Sequence, residues 1–373
     1  MKSILFFTAF IGVFILLNMY ISKRLISKLD ISNTAKQYLR LFLVINFIGI
    51  LCYVAGRYYI DMPNWLYFIF SLPIGIVFLL FCTAIIYDIS RVVLSKTPVS
   101  DTKRKFLKST LDISAFAVAT AVTAKSIYDA QFVKLEHVKV VINKLKKEYK
   151  IVQLSDVHIG GLIDEKFIWD IVKRVNLLKP DLVVITGDLI DVDVDKVPKV
   201  FKALEKLSST YGTYFIVGNH EYFHNIDKII AKVKSIGIRV LENENVYVGE
   251  DGEGFNLVGV YDLIGYRSKH HVPSIEKALR GIKKSPTILL AHQPRYIHEV
   301  THSVDLMLSG HTHGGQLYPF KFLVGLMQPY ISGLHQHNEK LQIYVNKGTG
   351  FWGPPMRLGA SSEITEIMIQ PKS

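Results

Sequence analysis

The sequence predicts transmembrane helices followed by an α/β domain. Three observations carry that prediction. Long uncharged apolar runs crowd the first third of the chain, at the length a bilayer requires. From about residue 138, short β-type runs alternate with amphipathic helical stretches, the texture of a sheet covered by helices. Five of those short runs end in Asp, Asn, His or Gly, which gathers polar chemistry at one end of the sheet.

The membrane segment comes first. The chain has 373 residues, 49% of them hydrophobic, and a mean hydropathy of +0.25. Ile4 to Ile21 is 18 residues without a charge, and Trp65 to Tyr87 is 23. Each can cross a hydrocarbon core of roughly 30 Å as a helix, and Pro73 inside the second is tolerated there. Leu41 to Ile60 is a third span, with Arg57 near its end where a long side chain reaches the interface. Leu111 to Tyr128 is a fourth candidate, weakened by Asp112 and Lys125. Residues 88–110 read as a basic loop before it and 129–148 as a charged connection after it. The expected division is a membrane anchor of three to four helices over 1–130 and a globular domain over 138–373.

A formal net charge of +12 would suit a nucleic-acid partner, but its distribution argues against one. Residues 1–136 hold 15 Lys and Arg against 7 Asp and Glu, leaving 29 against 25 for the rest of the chain. The globular part therefore lacks the basic excess of a nucleic-acid surface. Lys23, Arg24, Lys28, Lys36 and Arg40 follow the apolar run that ends at Ile21, and Arg91, Lys96, Lys103, Arg104, Lys105 and Lys108 follow the one that ends at Tyr87. The connection near Asp61 and Pro63 has almost no cations. Cationic loops stay in the cytoplasm, so the domain lies outside it if the fourth segment spans and inside it otherwise. Cys52 and Cys82 both fall in apolar segments, which excludes a disulfide framework or a thiolate metal site in the domain.

In the domain, "YKIVQLSD", "DLVVITGD", "TYFIVGNH", "PTILLAHQ" and "VDLMLSGH" are brief apolar runs with polar ends. "EKFIWDIVKRVNLL", "VPKVFKALEKL", "IDKIIAKVKSIG" and "SIEKALRGI" between them carry helical periodicity. "RVLENENVYV" and "FNLVGVYD", joined by "GEDGEG", read as an antiparallel hairpin added to a largely parallel sheet. Ligands of open α/β sheets bind beyond the carboxyl ends of the strands. There the runs deliver Asp156 and His158, then Asp188 and Asp191, then Asn219, His220 and Glu221, then His292, and finally His311 and His313. Asp, Asn and His without Cys form an oxygen and nitrogen donor set suited to Mn, Fe or Zn. Even seven ligands among these ten residues exceed the needs of one four-coordinate ion and suit two ions sharing a carboxylate, the arrangement that drives phosphoryl chemistry.

Taken in order, the D-x-H, G-D-x-x-D, G-N-H-E, H and G-H-x-H motifs resemble the calcineurin-like metallophosphoesterase superfamily over about residues 150–370. "YVNKGTGFWGPPMRLGASSEI" and "GHTHGGQ" resemble its membrane-tethered branch, the transmembrane proteins with a metallophosphoesterase domain. The resemblance implies an αββα four-layer sandwich and two divalent or trivalent ions, Mn, Fe or Zn. It implies that Asp156, His158, Asp188 and His313 hold one ion, and that Asp188, Asn219, His292 and His311 hold the other, with Asp188 bridging. His220 would be the general acid or a transition-state stabiliser, and a metal-bound hydroxide would attack the phosphorus of a small-molecule or lipid phosphate ester in line. One alternative is a nucleotide-lipid pyrophosphatase resembling the UDP-2,3-diacylglucosamine pyrophosphatases. Another is a non-catalytic metal-binding interaction module, against which the intact motifs, His220 included, all count.

Other residues carry weaker expectations. Arg357 is a candidate for holding a substrate phosphate, since a guanidinium suits that geometry. Asp191 and Glu221 fit either direct participation or support of the ligands. The apolar stretch "LYPFKFLVGLMQPYISG" is expected in the core rather than against the bilayer, and Phe351 and Trp352 are expected to pack. Histidines 137, 224, 270, 271, 298, 302, 335 and 337 read as ordinary surface or core residues.

Overall fold

A computed structural model describes residues 2–58, 60, 62–300 and 304–372, so Asp61 and His302 lie outside the described residues. The chain forms two compact units, one of Met1–Asp129 with Gly353–Leu358 and one of Ala130–Trp352 with Gly359–Ser373.

The first unit holds four long helices: α1 (Lys2–Tyr20), α2 (Asn33–Tyr58), α3 (Asn64–Lys96) and α4 (Asp101–Asp129). By length and composition all four can cross a membrane, the first continuing past Tyr20 through a π turn and a 3₁₀ turn to Lys28. The basic stretch 88–110 is not the expected loop. Its cations stand on the last turns of α3 and the first turns of α4, and only four residues, 97–100, separate the helices. Asp112, which weighed against the fourth span, is buried and bonded: it accepts from Tyr87 Oη at 2.7 Å, Lys108 Nζ at 2.8 Å and the Asp30 amide at 2.8 Å. A carboxylate paired in this way is one an apolar bundle can hold. Segment 353–358 completes this unit. Met356 lies so close to Gly75 that a Cβ there would meet its sulfur at 2.3 Å, and the Arg357 amide donates to the Ser126 carbonyl at 2.8 Å.

The second unit is built on two six-stranded sheets. The first contains β1 (Val133–Ile142), β2 (Tyr149–Leu154), β3 (Leu182–Thr186), β4 (Thr213–Ile216) and β5 (Arg239–Val240). The second contains β6 (Glu244–Val248), β7 (Phe255–Gly259), β8 (Thr287–Leu290), β9 (Leu306–Ser309), β10 (Gly333–Gln336) and β11 (Gln342–Val345). The last strand, β12 (Ser362–Pro371), returns to the first sheet, giving the orders β1-β12-β2-β3-β4-β5 and β10-β11-β9-β8-β7-β6. Strands β2 to β5 run parallel, as do β7, β8, β9 and β11.

Side chains alternate across each strand, so a strand covered on both faces is apolar throughout. In β3, Leu182 and Val184 face the other sheet, in a core with Leu257, Ile288, Leu290 and Leu308. Val183 and Ile185 face outward against α5 (Glu165–Leu177), α6 (Pro198–Leu204) and α7 (Ile226–Ser235). Helix α5 starts where the Asp164 side chain accepts from the Phe167 amide at 3.0 Å, and it buries Ile168, Ile171, Val172 and Val175 at helical spacing. Shorter helical segments cover the second sheet over a separate core of Val258, Leu289, Met307 and Ile343. The layers are helix, sheet, sheet, helix.

Two sequence expectations shift. The charged connection 129–148 contains the ten-residue β1, which pairs in parallel with β12 from Val133↔Ser362 onward. The expected hairpin exists as β6 and β7, but Arg239–Val240 pairs with β4 instead, so "RVLENENVYV" crosses from one sheet to the other.

Candidate metal centre

Every strand that the sequence singled out points its carboxyl end at one cluster. Asp156 and His158 follow β2, Asp188 follows β3, Asn219 and His220 follow β4, His292 follows β8, and His311 and His313 follow β9. Local backbone makes the convergence possible. Asp156, His158, Asp188, His311 and His313 all have φ between 49° and 70°, the left-handed region that L-residues seldom occupy. Such strain collects at functional sites, where surrounding bonds hold it in place. Here the Asp156 amide donates to the Gly187 carbonyl at 3.0 Å and the His158 amide to the Asp188 carbonyl at 3.0 Å. The His311 amide donates to both Asp156 oxygens at 2.9 Å. Gly310 is required beside this carboxylate, because a Cβ would lie 2.2 Å from Asp156 Oδ2.

Asp156, His158 and His313 form one group of donor atoms within 4.8 Å of one another and Asp188, His292 and His311 another, while Asp191 and His220 form a third with His158. His158 Nε2 and His313 Nε2 are 2.9 Å apart. Asp188 Oδ2 lies between the groups, 3.2 Å from His292 Nε2 and 3.8 Å from His158 Nε2. Asn219 Oδ1 joins the second group, 3.2 Å from His292 Nε2. All seven expected donors are therefore brought together within the α/β unit, whereas Arg357 belongs by its packing to the helical unit.

Hydrogen bonds aim the imidazoles. His292 Nδ1 donates to the Thr186 carbonyl at 2.8 Å, which can only accept, so its Nε2 faces the cluster. Asp191 Oδ1 accepts from His158 Nδ1 at 3.0 Å and from His220 Nδ1 at 2.7 Å, turning the Nε2 of both rings inward. Carboxylate bonds of this kind fix the tautomer and orientation of a metal-ligating histidine. Burial opposes ionisation of Asp191, but the two imidazoles outweigh it and hold the carboxyl well below its usual range. Burial likewise opposes charge on Asp188, and His292, His220 and His158 reverse that effect. His292 is held well above its ordinary value, since the Asp188, Asp156 and Asp262 carboxylates outweigh its burial. Burial, aided by His292, presses His311 down to about 3, which keeps it a neutral donor. The cluster demands positive charge beside Asp188, which a proton on His292 meets in the metal-free site, and it gathers oxygen and nitrogen donors that a divalent cation would engage on displacing that proton.

Glu221 resolves a choice the sequence left open. It is fully buried, and its oxygens accept four backbone amides: Leu189 at 2.8 Å and Ile190 at 3.0 Å on Oε1, Gly218 at 2.7 Å and Asp188 at 3.1 Å on Oε2. It ties the loop after β3 to the loop after β4. Burial and the adjacent Asp188 push its carboxyl up to about 7, against amides that favour the carboxylate. Sequence offered only a Glu after "GNH"; the four bonds exist only in the folded chain.

Two expectations about the rim are overturned. Trp352 is 47% exposed instead of packed, with its ring 6.0 Å from that of His220, while Phe351 does pack on the core beside the helices. The stretch after the metal turn buries Leu317 but leaves Tyr318, Phe320, Phe322, Leu323, Leu326 and Met327 exposed, so it is not core. His270 and His271 stand with Asp227 as a separate group nearer the surface.

An α/β sandwich carrying this donor set at its strand ends defines a metal-dependent hydrolase. Residues 149–315 match the family model described as Calcineurin-like phosphoesterase. A metallophosphoesterase of Helicobacter pylori is 37% identical over 370 residues, covering 98% of each chain. One of Campylobacter jejuni is 32% identical over 366 residues, covering 96% of each. A transmembrane protein with metallophosphoesterase domain from Bos taurus is 39% identical over 236 residues, 59% of this chain and 53% of that one. The chain belongs to the calcineurin-like metallophosphoesterase family. It is a phosphoesterase, and the family implies divalent metal cofactors.

Proposed function

We propose that the chain is a membrane-anchored hydrolase of phosphate esters whose domain lies outside the cytoplasm. What supports the chemistry most is the position of the Asp188 carboxylate, within 3.8 Å of imidazole nitrogens from both donor groups. Asp156, His158, Asp188 and His313 would hold one ion, and Asp188, Asn219, His292 and His311 the other. Two divalent ions supply Lewis-acid polarisation of a phosphoryl oxygen and an activated water near neutral pH. The remaining steps fall to the chain itself. His220, with Nδ1 fixed on Asp191, presents Nε2 to the site and donates a proton to the departing oxygen. Asp191 keeps His158 and His220 in register with each other, their rings 4.6 Å apart. Glu221 holds Asp188 and Asn219 at a fixed separation through the backbone.

The proposed side of the membrane follows from the cationic connections together with four helices able to span. The test is hydrolysis of a membrane-impermeant phosphate ester by intact cells carrying the chain, metal-stripped and then resupplied with Mn, Fe or Zn. Turnover should return with metal and fall about 10²–10⁴-fold in His220→Ala. Turnover only after lysis would refute the placement, and unchanged turnover in His220→Ala would refute the proton donor.

A further inference from the structure

We infer that the exposed apolar turn Tyr318–Met327, which contains the short helix Lys321–Gly325, is a bilayer-contact surface, seated at the boundary between headgroups and acyl chains. Six large apolar side chains stand in solvent within ten residues, with Leu326 at 82% and Met327 at 73% exposure. Contiguous apolar exposure on this scale marks an interaction surface in a folded domain. The turn is held in this pose at both ends. Leu317 is buried before it, and after it the buried Gln328 accepts from the Arg295 amide at 3.0 Å. Thr312 Oγ1 donates to the Ile331 carbonyl at 2.6 Å, closing the base.

Charge selects the occupant. From Leu306 to Asn338 the chain has no Asp or Glu, and within the turn the one ionic side chain is Lys321. A short apolar segment with a cation and no carboxylate suits an anionic lipid surface, where apolar side chains enter the interface and the amine stays among headgroups. A bilayer is also within reach of the tether. Helix α4, long and apolar enough to span, ends at Asp129, and β1 begins at Val133. Three intervening residues extend at most about 10 Å. The turn leaves directly from the His311–His313 loop, and Gln316 binds it to Trp352 through a reciprocal pair at 2.8 and 3.1 Å. Trp352 in turn flanks His220. The contact would therefore bring the rim of the site to the lipid surface.

The test uses the full chain, with Cys52→Ala and Cys82→Ala to remove native thiols, reconstituted in phosphatidylcholine–phosphatidylglycerol vesicles. An environment-sensitive fluorophore is attached at Leu326→Cys, at Met327→Cys, or at Lys206→Cys, an exposed control beyond the opposite end of β4. Lipids carrying a shallow nitroxide should quench emission at positions 326 and 327 and leave 206 unchanged. Equal emission with and without nitroxide at 326 and 327 overturns the inference, as does equal quenching at 206. Disulfide cross-links between unlabelled copies of Leu326→Cys, with no lipid quenching of the labelled protein, would assign the face to a second copy instead. The readout needs no turnover, so it stands apart from the proposed reaction.

Discussion

Glu221→Gln is the most informative single substitution, because an amide can reproduce only half of what the carboxylate does. Its oxygen can keep two of the four amide bonds, but its NH₂ group meets the other two backbone N–H groups as a donor facing donors. Rotating the amide exchanges one pair for the other and recovers nothing. Each buried N–H left without an acceptor costs about 1–3 kcal/mol, so two lost bonds cost about 2–6 kcal/mol. That is a large share of a domain's stability of about 5–15 kcal/mol. Because either pair includes the amide of Asp188 or of Leu189 beside it, loss of two bonds loosens the loop that carries Asp188, and metal affinity should weaken about 10–100-fold as well. The assay is denaturant unfolding of the full chain in detergent, followed by near-ultraviolet circular dichroism, with metal retention measured after dialysis. A midpoint matching the unsubstituted chain would refute the reasoning. It would mean that Glu221 carries a proton and that Gln replaces it bond for bond.

Two further substitutions probe neighbouring physics. Gly310→Ala should abolish metal binding, since its Cβ would fall 1.9 Å from Ser155 Oγ and 2.2 Å from Asp156 Oδ2; elemental analysis of the purified variant checks this. Asp262 is fully buried, and burial pushes its carboxyl up to about 6 from 3.8. The folded state therefore binds a proton that the unfolded state has released between about pH 4 and 6, and stability falls as pH rises through that window. Above it, the difference of 2.2 corresponds to about 3 kcal/mol. In metal-free protein Asp262→Asn should be more stable by up to about that amount at pH 7 and unchanged near pH 4. Denaturant midpoints at the two pH values decide it, and equal shifts at both would exclude the titration of Asp262 as the cause.

Much of the architecture was legible because of what two-sided burial does to a strand. "LVVIT" must be apolar on both faces, and the polar residue after it must lie at the sheet's end. Five such endings point to one cluster without any knowledge of packing. The missed strand, β1, reads "VKLEHVKVVI"; its exposed face carries charges, and its partner β12 is more than two hundred residues away in sequence. Asp112 looked hostile to a fourth span because Tyr87, its buried partner, lies on another helix. The roles of Asp191 and Glu221 were equally hidden, since each joins loops separated by about thirty residues. The apolar turn at 318–327 misled for a different reason. Apolar composition signals removal from water, and a bilayer achieves that as well as a core does.

The central claim is a site for two ions sharing the Asp188 carboxylate, and counting metal tests it most directly. The full chain, purified in mild detergent, loaded with Mn, Fe or Zn and dialysed, should retain two ions per chain by elemental mass spectrometry. Asp188→Asn should retain fewer than one, because both donor groups lose the same oxygen. One ion per chain, or two that survive Asp188→Asn, would contradict the account.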